Sequence, residues 1–229
     1  MQPYFFPYIG YFQLINAVDK FVIYDNIQFT KKGWFHRNRL LVNGKEKIFT
    51  LPIKKDSDYL DVNKRILADN KDIIIGKTLR IIKQSYVKAP YFKEVYPLFE
   101  EIFNYNNNKN LFEYIYNSVL KLKDYLEIDT EIIISSKIPI KHELKGQDKV
   151  IEIVKELKGN IYINSIGGQN LYDKRIFAKN DIDLQFIESK PVIYNQFGDK
   201  FIPWLSIIDV MMFNSIEQIQ KFLNEYNLN

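Results

Sequence analysis

A chain of 229 residues that is 46% hydrophobic and 26% charged, with a formal net charge of +4, is built to bury a core, which excludes a disordered tail. With no cysteine and only two histidines, His36 and His142, it has no disulfide scaffold, thiolate zinc site, iron–sulfur cluster, cysteine nucleophile or histidine-rich metal centre. The unusual figure is 15% aromatic: 16 Tyr, 17 Phe and 2 Trp.

In chain order, a short apolar opening is followed by residues in which Phe12, Ile15 and Val18 recur at helical spacing, so a helix is expected from about Gly10 to Asp19. Phe21–Asp25 reads as a buried strand, completing a Rossmann-like βαβ start. The run Phe21-Val22-Ile23-Tyr24 is too short to span a membrane. Met1-Gln2-Pro3-Tyr4 has no basic signal-peptide region, so a cytoplasmic protein without membrane insertion is expected. Arg39–Val42, Asn43-Gly44 and Lys47–Ile53 predict a hairpin with a type I′ turn. A helical insert is expected over about 57–127, with helices at Ile74–Tyr86, Tyr91–Asn104 and Asn110–Leu126 broken by Ala89-Pro90 and an Asn-rich loop. Then come a strand at Glu131–Ser135, a helix at Asp148–Leu157, a strand at Ile161–Asn164, a short helix at Leu171–Ala178, a strand at Leu184–Glu188 and a closing helix at Ser215–Tyr226. The pattern predicts an α/β fold with a mainly parallel sheet, one domain over 1–229 and a helical middle region.

Charge is unevenly placed. Between Lys20 and Lys55 lie nine basic and two acidic residues, a balance of +7 against −3 for the rest of the chain. Such a stretch suits a phosphate or diphosphate, which Arg grips through two N–H groups; a solvated hairpin face is the alternative. The interleaved Phe29, Trp34 and Phe35 favour a ligand carrying both phosphate and a flat ring. Nucleic acid is not expected, because the whole chain is weakly basic and carries no RNP, zinc-finger or helix-turn-helix pattern.

Four blocks hold candidate site residues. Gln2-Pro3-Tyr4-Phe5-Phe6-Pro7-Tyr8-Ile9-Gly10-Tyr11 places aromatics around a glycine at a helix start, where free N–H groups favour anions. That turn resembles the His-x-Gly-His turn of nucleotidyltransferases and of pantothenate synthetase, with Tyr8 and Tyr11 in place of both imidazoles. Core packing is the other use of these rings. Asp25–Arg39 gathers acid–base, anion-binding and amide groups after a strand: Asp25 and His36 as candidate proton acceptors, Gln28, Lys32, Trp34, Arg37, Asn38 and Arg39 as candidate substrate contacts. In Tyr162–Asp173 a strand runs into Gly167-Gly168, making Asn164, Gly167, Gly168 and Tyr172 candidates. In Phe201–Asn214, Ser206 reads as a helix N-cap and Asp209 is the candidate.

The opening block, Asp25–Arg39 with Gly33-Trp34 and Arg37-Asn38-Arg39, and Leu205-Ser206-Ile207-Ile208-Asp209 together resemble the WbqC-like protein family over most of the chain. The resemblance implies a place in bacterial surface-polysaccharide (O-antigen) biosynthesis and transfer of glycine or another acyl group to an amino sugar. On that basis the expected reaction is N-acylation of a dTDP- or UDP-linked amino sugar. Lys32, Arg37 and Arg39 would hold the diphosphate, Tyr4, Tyr8 or Trp34 would stack on a ring, and Asp25 or His36 would take the proton. The co-substrate is an acyl-CoA or another acyl thioester, or ATP in an amino acid–amino sugar ligase; a non-catalytic nucleotide-sugar binding protein is the rival of another class. A homodimer is compatible with all three.

Overall fold

The computed structural model describes residues 1–198 and 200–229. The strand expected ahead of the first helix does not form. Gln2–Tyr8 is irregular, because Pro3 and Pro7 lack the N–H a ladder needs and Phe6 sits at φ 44°. Only Met1 pairs, donating from its amine to the Val22 carbonyl (2.6 Å) and accepting from the Tyr24 N–H (2.8 Å). Helix α1 (Ile9–Asn16) is buried from Ile9 to Ile15, so it is apolar on every side and lies inside the fold. Its one buried polar side chain, Gln13, donates to the carbonyls of Phe222 (2.7 Å) and Glu225 (3.0 Å). Strand β1 (Lys20–Ile23) follows.

The expected hairpin is present as β2 (Arg37–Val42) and β3 (Lys45–Thr50), with Asn43 and Gly44 at φ 52° and 72° as a type I′ turn demands. The expected helical insert begins late. Residues 57–70 hold only a 3-10 turn at Val62–Lys64 and isolated bridges, Gln28 to Asp61, Ile53 to Leu67 and Ile66 to Asn110. Asp56, Ser57, Asp58, Asp61 and Asn63 there favour turns over helix. Helices α2 (Lys71–Tyr86), α3 (Phe92–Phe103) and α4 (Leu111–Tyr125) then pack as the periodicity predicts. Asn110 caps α4 by accepting from the N–H groups of Phe112 and Glu113.

The remainder alternates: β4 (Glu131–Ile134), α5 (Gly146–Glu156), β5 (Ile161–Ser165), a 3-10 segment at Ile166–Leu171, α6 (Lys174–Ala178), β6 (Asp183–Ser189), α7 (Ile207–Phe213), α8 (Ile216–Leu223) and β7 (Tyr226–Leu228). The fold is mixed α/β, but the mainly parallel sheet is not there. Among the described residues the strands form three small sheets, β1–β4 parallel, β2–β3 antiparallel, and β5–β6–β7 with β5–β6 parallel and β7 antiparallel. The closing helix ends three residues early and the chain turns back as β7.

Much of the aromatic excess is core. Phe5, Phe6, Phe12, Phe35, Phe99, Phe103 and Phe112 are fully buried, and Phe6 stacks on Phe103 at 4.9 Å. A second, smaller apolar cluster around Val150, Val154, Phe177, Leu184 and Phe186 lies under β5 and β6.

Candidate functional site

Three arrangements of polar side chains stand out, and each begins from a different element.

The first is at the carboxyl ends of the parallel pair β1–β4. Asp25 follows β1, and Ser135-Ser136 follow β4. Both carboxylate oxygens are filled: Oδ1 accepts from Ser135 Oγ (2.9 Å) and the Ser136 N–H (2.9 Å), and Oδ2 from Asn63 Nδ2 (2.9 Å) and Ser136 Oγ (2.6 Å). A carboxylate offers about four lone-pair positions, and here four donors use them. Burial raises the Asp25 pKa, yet the hydrogen bonds from Ser136, Asn63 and Ser135 outweigh it and leave the group below its ordinary value. An ionised, fully bonded carboxylate is a weak base. Asp25 therefore ties the ends of β1 and β4 to the Val62–Lys64 turn. Beside it, Asn26 Nδ2 meets His142 Nδ1 at 3.3 Å, and His142 Nε2 lies 3.1 Å from the Ile138 carbonyl. With the Asn26 amide donating to Nδ1, Nε2 is the ring nitrogen that donates to the Ile138 carbonyl.

The second is a cationic and aromatic surface. Trp34 lies under two guanidinium groups, Arg37 at 5.5 Å and Arg39 at 5.2 Å from its ring centroid. Arg37 donates to the carbonyls of Gly33 (3.1 Å) and Lys32, while Arg39 donates to Glu46 Oε2 (3.0 Å) and the Trp204 carbonyl (2.9 Å). Trp204, 58% exposed and at φ 60°, packs edge-on against Tyr8 at 5.6 Å. A run of contacts thus links Tyr8, Trp204, Arg39, Trp34 and Arg37. Next to it opens a cleft of about 80 Å³ whose lining includes Tyr8, Lys190, Tyr194, Phe201 and Trp204. Asn38 holds the base of this surface by donating to the carbonyls of Phe5 (3.2 Å) and Phe6 (2.8 Å), and Ser206 Oγ donates to the same Phe6 oxygen (2.8 Å). Gly10 has its own reason here: a Cβ on it would lie 2.3 Å from the Tyr8 hydroxyl. The expected anion-binding glycine thus makes room for a ring.

Behind this surface His36 packs on Phe29 at 5.1 Å, and its Nδ1 is buried without a hydrogen-bond partner among the described residues. Burial, with the nearby Arg37 and Arg65 cations, pulls its pKa down to about 4. The imidazole is neutral at pH 7.

The third is Asp209 in α7, fully buried. It accepts from Tyr86 OH, Tyr194 OH and Gln196 Nε2, each at 2.7 Å. Burial raises its pKa, and the bonds from Tyr194, Tyr86 and Gln196 pull the other way. Tyr86 OH in turn accepts from the Leu41 N–H (2.8 Å), so the network reaches β2. Tyr194 joins it to the cleft beside Trp204.

The other sequence candidates lie apart from these groups. Gln2 and Tyr4 bond to each other (2.9 Å), and Tyr11 OH donates to the Gln2 carbonyl (3.0 Å). Gln28 donates to the Asp58 carbonyl (3.0 Å), and the Lys32 side chain is exposed. Asn164, Gly168 and Tyr172 pack together at the end of β5, where a Cβ on Gly168 would come within 2.8 Å of Asn164 Nδ2; Gly167 is exposed and has no such neighbour. Ser135, Ser136, Asn63, Tyr194, Gln196 and Trp204 are not among the sequence candidates, and Tyr86, whose spacing with Tyr91, Phe92 and Tyr96 suits either a cleft wall or helix packing, is buried against Asp209. The Ser-Ser pair directly after a strand was the available signal for Asp25's partners. Among the described residues, no group of three or more His, Asp and Glu side chains is placed to hold a metal ion, and no helix is long and apolar enough to cross a membrane.

The WbqC-like protein family model matches residues 2–221. The chain belongs to the WbqC-like protein family. It is also similar to the uncharacterized protein Rv1507c of Mycobacterium tuberculosis, 24% identical over 214 residues that cover 92% of this chain and 90% of that protein. No solved structure matches the chain significantly. The family match takes in all three arrangements, since Asp25, Trp34 and Asp209 lie inside it.

Proposed function

We propose that this WbqC-like protein binds a nucleotide-linked amino sugar and transfers an acyl group, a glycyl or other aminoacyl group included, to the sugar amine. The setting is cytoplasmic biosynthesis of bacterial surface polysaccharide such as O-antigen. The observation that carries the reading is the run Tyr8–Trp204–Arg39–Trp34–Arg37, which puts flat rings and guanidinium groups on one half-exposed surface. A dTDP- or UDP-linked sugar offers the matching chemistry, a base to stack and a diphosphate to pair with Arg.

In the reaction the amine nitrogen attacks the carbonyl carbon of an acyl thioester. The C–N bond forms, the C–S bond breaks with the electron pair going to sulfur, and the proton given up by the amine is passed on to the departing thiolate, which leaves as the thiol. His36 is the remaining candidate to relay it: its imidazole is neutral at pH 7, but Nδ1 is buried behind the surface, so the proton would reach the ring only through water admitted with the substrate. A diphosphate beside Arg37 offsets one of the cations that depress His36 and so raises its basicity when substrate is bound. Without cysteine the transfer is direct, with no acyl-enzyme thioester.

A purely binding role is the second reading, favoured by the saturated coordination of Asp25, which removes one expected base. Mass spectrometry separates the two. The protein is incubated with dTDP- and UDP-linked amino sugars, with acetyl-CoA or another acyl thioester, and in parallel with glycine and ATP. A sugar nucleotide that gains an acyl mass supports the transferase, and release of AMP or ADP marks a ligase instead. Retention of the sugar nucleotide with no mass change supports the binder, and neither retention nor mass change sinks both.

A further inference from the structure

The block Tyr162–Asp173 takes no part in the surface around Trp34 and Trp204, yet the fold brings it to the carboxyl ends of parallel strands, where α/β proteins hold their ligands. Strands β1 and β5 run in the same direction. Lys20 Nζ, at the start of β1, lies 3.4 Å from the Leu157 carbonyl just ahead of β5. Tyr24, just past the end of β1, neighbours Tyr172 beyond the end of β5. A cleft of about 340 Å³ runs between the two strands, and Tyr24 and Asn164 line it at this carboxyl end.

The side chains at this end form a connected polar wall. Asn26 Oδ1 lies 2.7 Å from Ser135 Oγ, which turns its Nδ2 toward His142 Nδ1. The His142 carbonyl accepts from Lys149 Nζ (3.4 Å), and that ammonium sits 5.7 Å from the centre of the Tyr24 ring. Lys149 is half-buried and, among the described residues, pairs with no carboxylate. Such a cation, facing a phenol and amides, is placed for an anion that comes from outside. Burial, with Tyr172 close by, pushes the Tyr24 phenol up to about 12, so it stays a neutral donor. Tyr172 packs edge-on against Tyr162 at 5.8 Å. Asn164 Oδ1 accepts from the Ser165 N–H (2.8 Å), and its Nδ2 donates to no group among the described residues.

We propose that this crevice holds the co-substrate by its adenosine phosphate, the part that ATP and coenzyme A thioesters share. Lys149 pairs with a phosphate, the Tyr24 and Tyr172 rings flank the adenine, and the Asn164 amide donates to the edge of the base. The inference rests on the proposed acyl transfer, which needs a second ligand besides the sugar nucleotide. One short segment joins the two sites: the Met1 carbonyl accepts from the Tyr24 N–H, and Tyr8 packs on Trp204. From Met1 to Tyr8 the backbone spans at most about 25 Å.

The test titrates ADP, ATP and acetyl-CoA calorimetrically into the full chain and into Lys149→Gln and Lys149→Arg, with and without a UDP-linked amino sugar. ADP is expected to bind saturably, about tenfold or more weaker in Lys149→Gln, because a charge-assisted bond is lost. Lys149→Arg keeps the charge and should restore affinity to within about threefold. In the unsubstituted chain ADP should also slow hydrogen exchange over Ile166–Tyr172, a readout that needs no variant to fold. Tighter binding of acetyl-CoA than of ATP marks a thioester donor and the reverse a ligase, and either order supports the site. Three results overturn it: no binding of any of the three at millimolar concentration, equal affinity in Lys149→Gln with no protection over Ile166–Tyr172, or displacement of ADP by the sugar nucleotide. If ADP binds through Lys149 and no sugar nucleotide binds at all, the acyl-transfer reading falls and the adenosine phosphate site stands.

Discussion

Arg39 Nη2 and the Trp204 carbonyl oxygen, 165 positions apart in the chain, lie 2.9 Å from each other. This bond fastens the β2–β3 hairpin to the segment entering α7, and it holds Trp204 in a left-handed conformation that a large side chain rarely adopts. The same guanidinium covers Trp34 and pairs with Glu46. Arg39→Lys keeps the charge but reaches one acceptor at a time and loses the planar stack. The expected cost is about 1 kcal/mol of stability, a Tm decrease of about 2–4 °C in thermal unfolding.

The Asp25 network makes a sharper demand. Asp25→Asn replaces one acceptor oxygen by an N–H₂ group that faces the donors Asn63 and Ser136. About 2–4 kcal/mol of destabilisation is expected, measured by denaturant unfolding. Ser135→Ala removes one donor of four and should cost about 1 kcal/mol. The pH dependence follows from the direction of the shift. The folded carboxyl is the stronger acid, so its stabilisation is present above the ordinary Asp pKa of 3.8 and disappears as pH falls below it.

His36 governs a different window. Its pKa falls from 6.5 in the unfolded chain to about 4 in the fold, so between those values the unfolded chain binds more protons and stability rises with pH. After allowance for partial exposure, the contribution is about 1–2 kcal/mol. His36→Asn should flatten the stability curve across about pH 4–6.5, as read from urea midpoints at half-unit pH steps.

Asp209 separates its two phenols. Tyr86→Phe takes a donor from the carboxylate and leaves the buried Leu41 N–H without its acceptor, which should cost about 2–4 kcal/mol. Tyr194→Phe removes one donor beside the cleft and should cost about 1–2 kcal/mol. Urea unfolding of the two variants checks the order.

What the sequence revealed was what depends on near neighbours. Asn43-Gly44 forces its turn conformation wherever the hairpin packs, and the three amphipathic helices carry their periodicity in their own residues. Residues 57–70 turn rather than coil into a helix because side chains such as Asp56 and Ser57 bond nearby backbone N–H groups, a local signal that the helical periodicity following it obscures. The sheet was not legible, since pairing depends on partners far along the chain; β1 finds β4 more than 100 residues on. Asp25 stood out as a carboxylate, but its role was set by Ser135 and Ser136, 110 and 111 positions away. Trp204 was hidden in an apolar block that reads as core, and only its left-handed backbone and the Arg39 bond put it on the surface.

The most direct test uses the two tryptophans, Trp34 and Trp204, which both lie in the proposed ligand surface. Tryptophan emission is followed while dTDP- and UDP-linked amino sugars are titrated into the protein. A saturable change is predicted with at least one of them, and Trp34→Ala should weaken it about tenfold or more, since stacking on an aromatic side chain contributes about 1–3 kcal/mol per base. Unchanged emission up to millimolar ligand, or equal affinity in Trp34→Ala, would contradict the assignment of this surface.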